Sequence, residues 1–550
     1  MKRNIITIIC LSFFVWTHAQ QTRVNDVAPT TVKITHRYLN LPVSGQARTD
    51  SLTMRMDGQL FRRVAARLST TPDYWVFVDM AGYEGRKLTL EYPSNAEVLQ
   101  MVSMTNQPIG AESFYKEPLR PMLHFTSRRG WINDPNGLVW HDGEYHLFYQ
   151  HNPYEREWGN MHWGHAVSRD LIHWQELPTA LFPDELGFQF SGSVVIDSLN
   201  TAGFGKGAMV AAYTADSPGR EVQCLAYSLD KGRTWTKYSG NPVIDSGRKW
   251  QTVDTRDPKV FWYEPQRVWV MALNERDGHS IYQSKDLKHW EYKSHVVGFW
   301  ECPELFELPV DGDPSNKLWV MYGASGTYML GHFDGAVFTP VSGKQASWFG
   351  AIYAAQTFNN IPDGRRIQIG WDRIDHPKMP FKGQMSLPAE LSLRTTPGGV
   401  RLHCNPVREI EELQRQVVSQ KNLTIGQADA LLAPYKDADA LRIKAVMTFT
   451  HCTSLGLDLG KMHIIDCDLN FNLVNGFFYG DRNFENHRVT ADIIIDKTSV
   501  QVYLDDGALS YCLERNRQIT DSAHGFHFWG NKDISIEQLE IYQMANIWNN

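Results

Sequence analysis

The sequence lacks the patterns that most directly assign a function. It contains no C-x-x-C or H-E-x-x-H metal motif, no long basic run, no low-complexity tract and no stop-transfer pattern. With 61 acidic against 54 basic residues, the formal charge is −7. An acidic balance argues against nucleic acid or an anionic membrane as partner. Function must therefore be sought in the residues that are present.

The N-terminus predicts export. Two cations precede an apolar stretch over residues 5–16, and residues 17–19 (THA) place small side chains at the outer positions of a cleavage site. We expect a signal peptide at residues 1–19 and a periplasmic or extracellular protein. The stretch is too short for a membrane anchor. The residues before Cys10 are not the small ones of a lipid-attachment site, which disfavours a lipoprotein.

Six of the seven cysteines follow that cleavage site. Export permits disulfides, but six cysteines allow fifteen pairings, among which sequence cannot choose. A chain of 550 residues is too long for one hydrophobic core, so two to four domains are expected.

An internal repeat organises the middle of the chain. A Ser-x-Asp turn followed by Trp occurs at residues 168–174, 228–235 and 284–290, with a weaker relative at 331–338. In each copy, Asp can accept hydrogen bonds from the turn amides and Trp can pack beneath the turn. The successive Ser residues are 60 and 56 positions apart. This spacing is typical of a β-propeller, with a solenoid as the alternative.

Short β-rich runs surround these turns and continue on both sides. They lie at 74–78, 87–92, 145–149, 208–213, 268–273, 318–322, 366–371, 443–448, 489–495, 499–504 and 534–542. We therefore predict an all-β chain with a small β-domain at 20–115 and a five-bladed β-propeller at 116–410. A linker helix over 407–416 and a β-sandwich should complete the region 411–550.

Three acidic residues of the predicted propeller can meet at its axis. Asp134 lies in WINDPNG (131–137), Asp257 in DTRDP (254–258) and Glu301 in FWECPELF (299–306). Trp, Cys and Phe around Glu301 predict a desolvated carboxyl suited to a general acid. Each also has an ordinary reading: an Asx turn, a surface ion pair and a solvent-facing edge strand. A pair of carboxyls in contrasting surroundings matches the glycosidase pattern.

The motifs resemble those of glycoside hydrolase family 32, the invertase, inulinase and levanase family, in order over about 290 residues. They are WINDPNG, FYQHNP (148–153), WGNMHWGH (158–165), FSGS (190–193), RDP (256–258), WECP (300–303), YAAQT (353–357) and GW (370–371). The resemblance implies a five-bladed propeller followed by a β-sandwich, in agreement with the repeat.

The resemblance also implies roles. Asp134 would attack the anomeric C2 of fructose, and Glu301 would protonate the leaving oxygen and then activate water. Asp257 would hold sugar hydroxyls, configuration would be retained, and neither cofactor nor metal would be needed. The substrate would be a fructan or fructo-oligosaccharide. The residues implied to bind its terminal fructose are Asn133, Gln150, Trp158, Phe190, Ser191, Arg256 and Trp371.

Two departures bear on specificity. Many family members carry acidic residues just before the Y-A-x-Q-T motif, whereas residues 348–352 (WFGAI) contain none. The N-terminal region resembles an extra β-domain of some bacterial levanases, which favours levan over inulin or sucrose. A fructosyltransferase and an inactive fructan-binding protein are the alternatives. The first would make longer oligosaccharides, and the second would lack a catalytic carboxyl. Exo against endo attack and the oligomeric state stay open.

If these roles hold, Asp134→Asn or Glu301→Gln will lower turnover by several orders of magnitude without unfolding the protein. Each change removes an ionisable oxygen while conserving side-chain volume. The measurement is kcat on levan beside a thermal melt. Near-normal turnover in either variant would remove that residue from the catalytic pair.

Overall fold

The computed structural model describes residues 29–479, 487–516 and 525–548, and the chain is all-β. The predicted signal peptide at 1–19 lies outside these residues. None of the helices within them has the length and apolar character that crossing a membrane requires. Each of the six cysteines after residue 19 is buried.

The first part of the chain forms two small sheets on a shared apolar core. The strands are β1 (Thr30–Lys33), β2 (Tyr38–Val43), β3 (Asp50–Met56), β4 (Gln59–Ala66), β5 (Tyr74–Asp79), β6 (Lys87–Glu91) and β7 (Ser103–Thr105). One sheet has the order β1-β6-β3-β4 and the other β5-β2-β7. Asn160 joins this unit to the next sheet, because its side chain exchanges two 2.8 Å hydrogen bonds with the backbone of Ala65.

Successive antiparallel sheets fill the middle of the chain. The first three contain β8 (Gly130–His141), β9 (Glu144–Asn152), β10 (His162–Ser168) and β11 (Trp174–Leu181); β12 (Phe188–Asp197), β13 (Ala208–Ser217), β14 (Arg220–Ser228) and β15 (Thr236–Lys237); and β16 (Thr255–Tyr263), β17 (Val268–Glu275), β18 (Gly278–Ser284) and β19 (Glu291–Val297). Each sheet is an up-and-down meander, so strands that neighbour in sequence pair in space.

A larger, ten-stranded sheet follows. It contains β20 (Glu304–Val310), β21 (Asp313–Tyr322), β22 (Thr327–Phe333), β23 (Phe338–Pro340), β24 (Gln345–Ala346), β26 (Ile352–Thr357), β27 (Arg366–Asp372), β29 (Gln384–Met385), β30 (Ala389–Thr396) and β31 (Gly399–Pro406). Within the described residues, the strand pairing that joins its two halves is the parallel one between Val310 and Leu393. Two short strands leave this region: β25 (Trp348–Gly350) joins the last sheets of the chain, and β28 (Phe381–Lys382) pairs with β8.

The repeated turns have the predicted chemistry. Asp170 Oδ1 accepts the amides of Ile172 and His173 at 2.9 and 2.8 Å, and the Trp174 indole donates to the carbonyl of Leu171. The turn at Asp286 repeats both contacts, and Asp334 repeats the amide contacts. In the longer turn at Asp230, the carboxylate accepts one amide, that of Thr234, and the Trp235 indole donates to the carbonyl of Gly232. Each of these aspartates therefore holds the turn between two adjacent outer strands of its own sheet, and the turn recurs from sheet to sheet.

Two further sheets face each other at the end of the chain over a second large core. Their strands are β32 (Gln414–Leu423), β33 (Leu441–Phe449), β34 (Ser454–Leu459), β35 (Met462–Asp468), β36 (Leu473–Val474), β37 (Phe477–Phe478), β38 (Arg488–Ile495), β39 (Ser499–Leu504), β40 (Leu509–Glu514), β41 (Phe526–Gly530) and β42 (Ile534–Met544). The strand-like runs predicted from sequence coincide with observed strands, except that the run 87–92 extends one residue beyond β6.

Helices are short within the described residues. The α-helices are α1 (Gly247–Trp250) and α2 (Ile425–Leu432), and the 3-10 helices are Ala96–Gln100, Ala111–Ser113, Glu264–Gln266, Arg408–Leu413 and Ala433–Tyr435. The helix predicted over 407–416 is thus a shorter 3-10 helix, and residues 414–416 belong to β32. The backbone at Gln414 is extended, with ψ 138°, because its segment pairs with β42.

The last sheets are tied to the central ones by a buried carboxylate. Asp496 accepts the amides of Met122 and Leu123 at 2.7 and 2.8 Å and contacts Nδ1 of His124 at 2.8 Å. Burial opposes charge on Asp496, but His124 and these amides outweigh it and lower the carboxyl pKa. The junction therefore depends on an ionised Asp496, a contribution lost as the pH falls through that lowered pKa.

Asp496→Ala should destabilise the protein by about 3–5 kcal/mol, because two buried amides and His124 lose their acceptor. The measurement is denaturant unfolding at pH 7. Asp277→Ala is the matched control, since Asp277 also pairs with a histidine, His295 at 2.9 Å, but its side chain is 72% exposed. Equal losses in both variants would contradict a special role for the junction.

Candidate active site

Register breaks shape one end of four central strands. The pairing shifts between Ile132 and Pro135 in β8, between Gln189 and Gly192 in β12, between Arg256 and Lys259 in β16, and between Tyr353 and Gln356 in β26. A bulge of this kind bends a strand and redirects its side chains. Each break coincides with a motif found in the sequence, and together they bring the predicted site residues into one space.

Asp134 and Asp257 meet across Cys302. The Cys302 sulfur lies 3.6 Å from Oδ2 of Asp134 and 3.6 Å from Oδ2 of Asp257. The Cys302 amide also donates to Asp257 Oδ2 at 2.9 Å. Burial raises the pKa of the Cys302 thiol, so the group stays protonated and its single S–H can serve only one carboxylate at a time.

Glu301 is held by two donors. Arg256 Nη1 donates to its Oε1 at 2.9 Å, and the Tyr353 hydroxyl donates to its Oε2 at 2.6 Å. The sequence predicts a desolvated Glu301. Its side chain is 24% exposed, the groups that contact its carboxylate are polar, and its sequence neighbour Trp300 is 43% exposed. Glu301 has a left-handed backbone conformation, with φ +50°.

Arg256 connects the acid cluster to the rim of the sheets. Its Nη2 lies 2.7 Å from Glu221 Oε1 and 2.5 Å from Asp254 Oδ1, while Nη1 serves Glu301. Although burial opposes it, pairing with Glu221 and with the site carboxylates raises the Arg256 pKa, so this guanidinium stays charged. It is therefore a permanent positive charge beside three carboxyls.

The two aspartates carry raised pKa values. Burial raises the pKa of Asp134, and Glu301 adds to the rise, whereas hydrogen bonds from Ser191, Asn133 and Cys302 oppose it. Burial raises the pKa of Asp257 well above its usual value, and the charges of Glu301 and Asp134 raise it further. Mutual repulsion in a desolvated space thus makes this cluster the candidate active site.

The predicted polar site residues lie around Asp134. The Ser191 hydroxyl donates to Asp134 Oδ2 at 2.7 Å, and Asn133 Nδ2 donates to Oδ1 at 3.2 Å. Gln150 is buried on the neighbouring strand β9, where its amide donates to the carbonyl of Gln189 at 2.9 Å. The two hydrogen bonds from Ser191 and Asn133 fix the Asp134 carboxylate in one orientation.

The predicted aromatic residues form two walls. Trp158, 55% exposed, meets the edge of Phe190 at 6.0 Å between ring centroids. On the other side, Trp371 lies 5.6 Å from Trp131 and 6.5 Å from Tyr353. The buried indole N–H of Trp371 has no hydrogen-bond partner within the described residues, so it is available to a ligand hydroxyl.

Sequence reasoning assigned no role to three residues of the site. Tyr353 and Cys302 stood inside quoted motifs, and their position in those motifs was the available signal. Glu221 has no local motif, and only the fold places it against Arg256. Within the part of the chain that is described, no group of three or more His, Cys, Asp or Glu side chains could hold a metal ion.

Comparisons with known proteins agree with this geometry. The family model described as "Glycosyl hydrolases family 32 N-terminal domain" matches residues 124–406. A levanase of Bacillus subtilis is 39% identical over 498 residues, covering 79% of this chain and 72% of the relative. The extracellular exo-inulinase of Aspergillus niger is 32% identical over 528 residues, covering 79% of this chain and 96% of the relative.

A solved structure gives the same picture. The exo-inulinase of Aspergillus awamori superposes with a TM-score of 0.69 at 28% identity, covering 79% of this chain and 100% of that one. About a fifth of the present chain therefore has no counterpart there.

Ser191→Ala should move the acidic limb of the kcat/KM profile upward by about 0.5–1 pH unit. The hydrogen bond from Ser191 lowers the Asp134 pKa, so its loss raises that pKa, and a nucleophilic carboxylate must be ionised to act. The assay is hydrolysis of a chromogenic β-fructofuranoside across pH. Ser193→Ala is the control, because Ser193 lies on the same strand but donates to the carbonyl of Pro258. Identical profiles for both variants would contradict the assignment.

Proposed function

The chain belongs to glycosyl hydrolase family 32 and is a fructan β-fructosidase, and from that premise we propose a double-displacement mechanism with levan as its preferred substrate. Asp134 attacks C2 of the terminal fructose and forms a covalent fructosyl-enzyme. Glu301 gives its proton to the leaving oxygen and then takes a proton from the incoming water. Two inversions at C2 leave the configuration retained.

The observation that carries the mechanism is the convergence of Asp134, Asp257 and Glu301 from three sheets on one space. Asp134 accepts hydrogen bonds on both oxygens, which suits a carboxylate that stays ionised as a nucleophile. Glu301 is more exposed and faces Arg256 and Tyr353, which suits a group that exchanges protons with a leaving group and with water.

Asp257 has a role different from those of Asp134 and Glu301. It contacts the Cys302 amide and lies beside Asp134 through the shared thiol, so it faces the same sugar. We assign it to the sugar hydroxyls, where its hydrogen bonds strengthen as positive charge develops on the ring. Asn133, Gln150, Ser191 and Trp371 then complete a terminal fructose pocket whose walls include Trp158 and Phe190.

The preference for levan rests on two observations. The levanase of Bacillus subtilis is similar over most of the chain, and the N-terminal sheets, β1–β7, form an extra unit before the region that the family model matches. Similarity to an exo-inulinase over 96% of its length supports release of single fructose units from a chain end.

We also propose that the central sheets are the blades of a five-bladed propeller, with the ten-stranded sheet counted as two blades. Contacts between strands β8, β12, β16, β20 and β26 support a closed ring. Lys259 of β16 lies 2.7 Å from Glu304 of β20 and donates to the carbonyl of Thr357 in β26 at 2.7 Å. Asn359 donates to carbonyls of β12 and β16 and accepts the amide of Trp140 in β8.

The proposed domains are the N-terminal unit at 20–115, the propeller at 116–410 and the sandwich at 411–550. The match of the family model to residues 124–406 supports both boundaries of the proposed propeller. We further propose export of the mature protein to the periplasm or the extracellular space. The predicted signal at 1–19 supports this, as does the extracellular location stated for the Aspergillus niger relative.

Levan, inulin and sucrose should each release fructose, with levan hydrolysed fastest. Product chromatography on the three substrates separately makes this measurement. With methanol added, the fructosyl-enzyme should yield methyl β-D-fructofuranoside, whose retained configuration is read by NMR. Oligosaccharides as first products from levan would contradict attack at the chain end. An α-configured methyl product would contradict double displacement, and no product from any substrate would contradict the function itself.

A further inference from the structure

A cavity of about 640 Å³ lies at the rim of the second and third central sheets, outside the fructose pocket. Its wall comes from the turn before β14 and from residues 245–253, which include α1. This volume is within the range of about 300–1,000 Å³ that small-molecule sites occupy. The family resemblance assigned no residue of this wall to substrate.

The cavity is connected to Glu301 through one side chain. Glu221 lines the cavity and binds Arg256 at 2.7 Å, and Arg256 binds Glu301 at 2.9 Å. A single guanidinium thus separates the cavity wall from the proposed general acid. The general acid protonates the leaving oxygen, so the leaving part of the substrate lies on the Glu301 side of the scissile bond.

The chemistry of the wall fits a neutral polyhydroxyl chain. Arg220 and Asp245 form a 2.8 Å ion pair, and Arg248, Gln251 and Thr252 add further donors and acceptors. The two arginines are balanced by Asp245 and Glu221, so the cavity offers no net charge to select an ion. Donors and acceptors in balance match sugar hydroxyls, which both donate and accept.

The wall is also fixed from behind. Ser246 donates to the buried Glu275, and the Trp250 ring packs against the Arg276 guanidinium at 4.1 Å. The amide of Thr252 donates to the carbonyl of Gly247 at 3.1 Å, which closes the α1 segment on itself. A preformed wall binds a flexible chain at lower entropic cost than a mobile one.

We propose that this cavity binds the fructosyl residues on the leaving-group side of the scissile bond, and so favours longer fructan chains over short substrates. The proposal rests on the proposed function, because it assigns the leaving chain to one side of Glu301. Arg220 and Arg248 contact hydroxyls of that chain. Glu221 fixes the position of the cavity wall relative to Glu301 through Arg256.

The test compares a long and a short substrate. For Arg220→Ala and for Arg248→Ala, we expect the ratio of kcat/KM for a β-2,6-linked fructan hexasaccharide to that for p-nitrophenyl β-D-fructofuranoside to fall about five- to tenfold. The fall should lie mainly in KM for the hexasaccharide, because binding energy is lost with the chain that fills the cavity.

Matched controls exist for both variants. Arg37 pairs with Asp79 at 2.8 Å with side-chain exposures of 48% and 27%, against 45% and 28% for Arg220 and Asp245. Arg37→Ala therefore removes an equivalent ion pair far from the site. Lys249→Ala removes the cation next to Arg248 in sequence. The Lys249 ammonium lies over the Trp250 ring at 4.3 Å and does not line the cavity. Neither control should change the ratio.

A binding experiment separates this inference from the proposed function. Hexasaccharide is titrated calorimetrically into Asp134→Asn, with and without Arg220→Ala, so that no turnover is needed. Weaker binding of about five- to tenfold in the double variant supports the cavity assignment, even if the wild-type protein proves to be inactive as a hydrolase. Unchanged affinity, or an unchanged substrate ratio in folded Arg220→Ala and Arg248→Ala, overturns it.

Discussion

The carboxyl groups of Asp134, Asp257 and Glu301 repel one another in a desolvated space, and the other residues of the site offset that repulsion. Arg256 supplies the permanent positive charge, and neutral donors from Ser191, Tyr353 and the Cys302 amide supply hydrogen bonds. The repulsion that remains raises the pKa values of Asp134 and Asp257. In the proposed mechanism, positive charge that develops on the sugar would reduce this repulsion, so the transition state would be stabilised more than the ground state.

Backbone strain accompanies this electrostatic strain. Asp257, Glu301 and Cys302 all have positive φ, at 65°, 50° and 42°, a conformation that costs about 1–3 kcal/mol for such residues. Neighbouring strands hold them there. The Asp257 amide donates to Thr214 of β13 and the Glu301 amide donates to Asn274 of β17. Gly323 lets the next strand approach, since a Cβ there would meet the Trp300 carbonyl at 2.7 Å.

Much of the site could be predicted because its motifs are local. A register break lies at each of the motifs NDPN, FSG, RDP and YAAQ. Such a break sets the direction of the side chains at that point of the strand, so the effect is local. The repeated Ser-x-Asp turns were predictable for the same reason. The contacts between distant parts of the chain could not be predicted: Glu301 contacts Arg256 and Tyr353, and Glu221 meets Arg256 only because β14 and β16 are brought together. The helix predicted at 407–416 is a 3-10 helix that ends at Leu413, because Gln414 pairs with Met544 of β42.

One strand pairing has a consequence for biosynthesis. The parallel pairing of β25 with β40 attaches the last sheets next to Ile352 and Tyr353, the residue that contacts Glu301. A nascent chain exposes Asp134, Asp257 and Glu301 long before residues 510–512 leave the ribosome. Until then β25 has no partner strand on that side, and the wall that carries Tyr353 is unsupported. The finished site is thus a product of nearly the whole polypeptide, because its Tyr353 wall is supported only once β40 has been made.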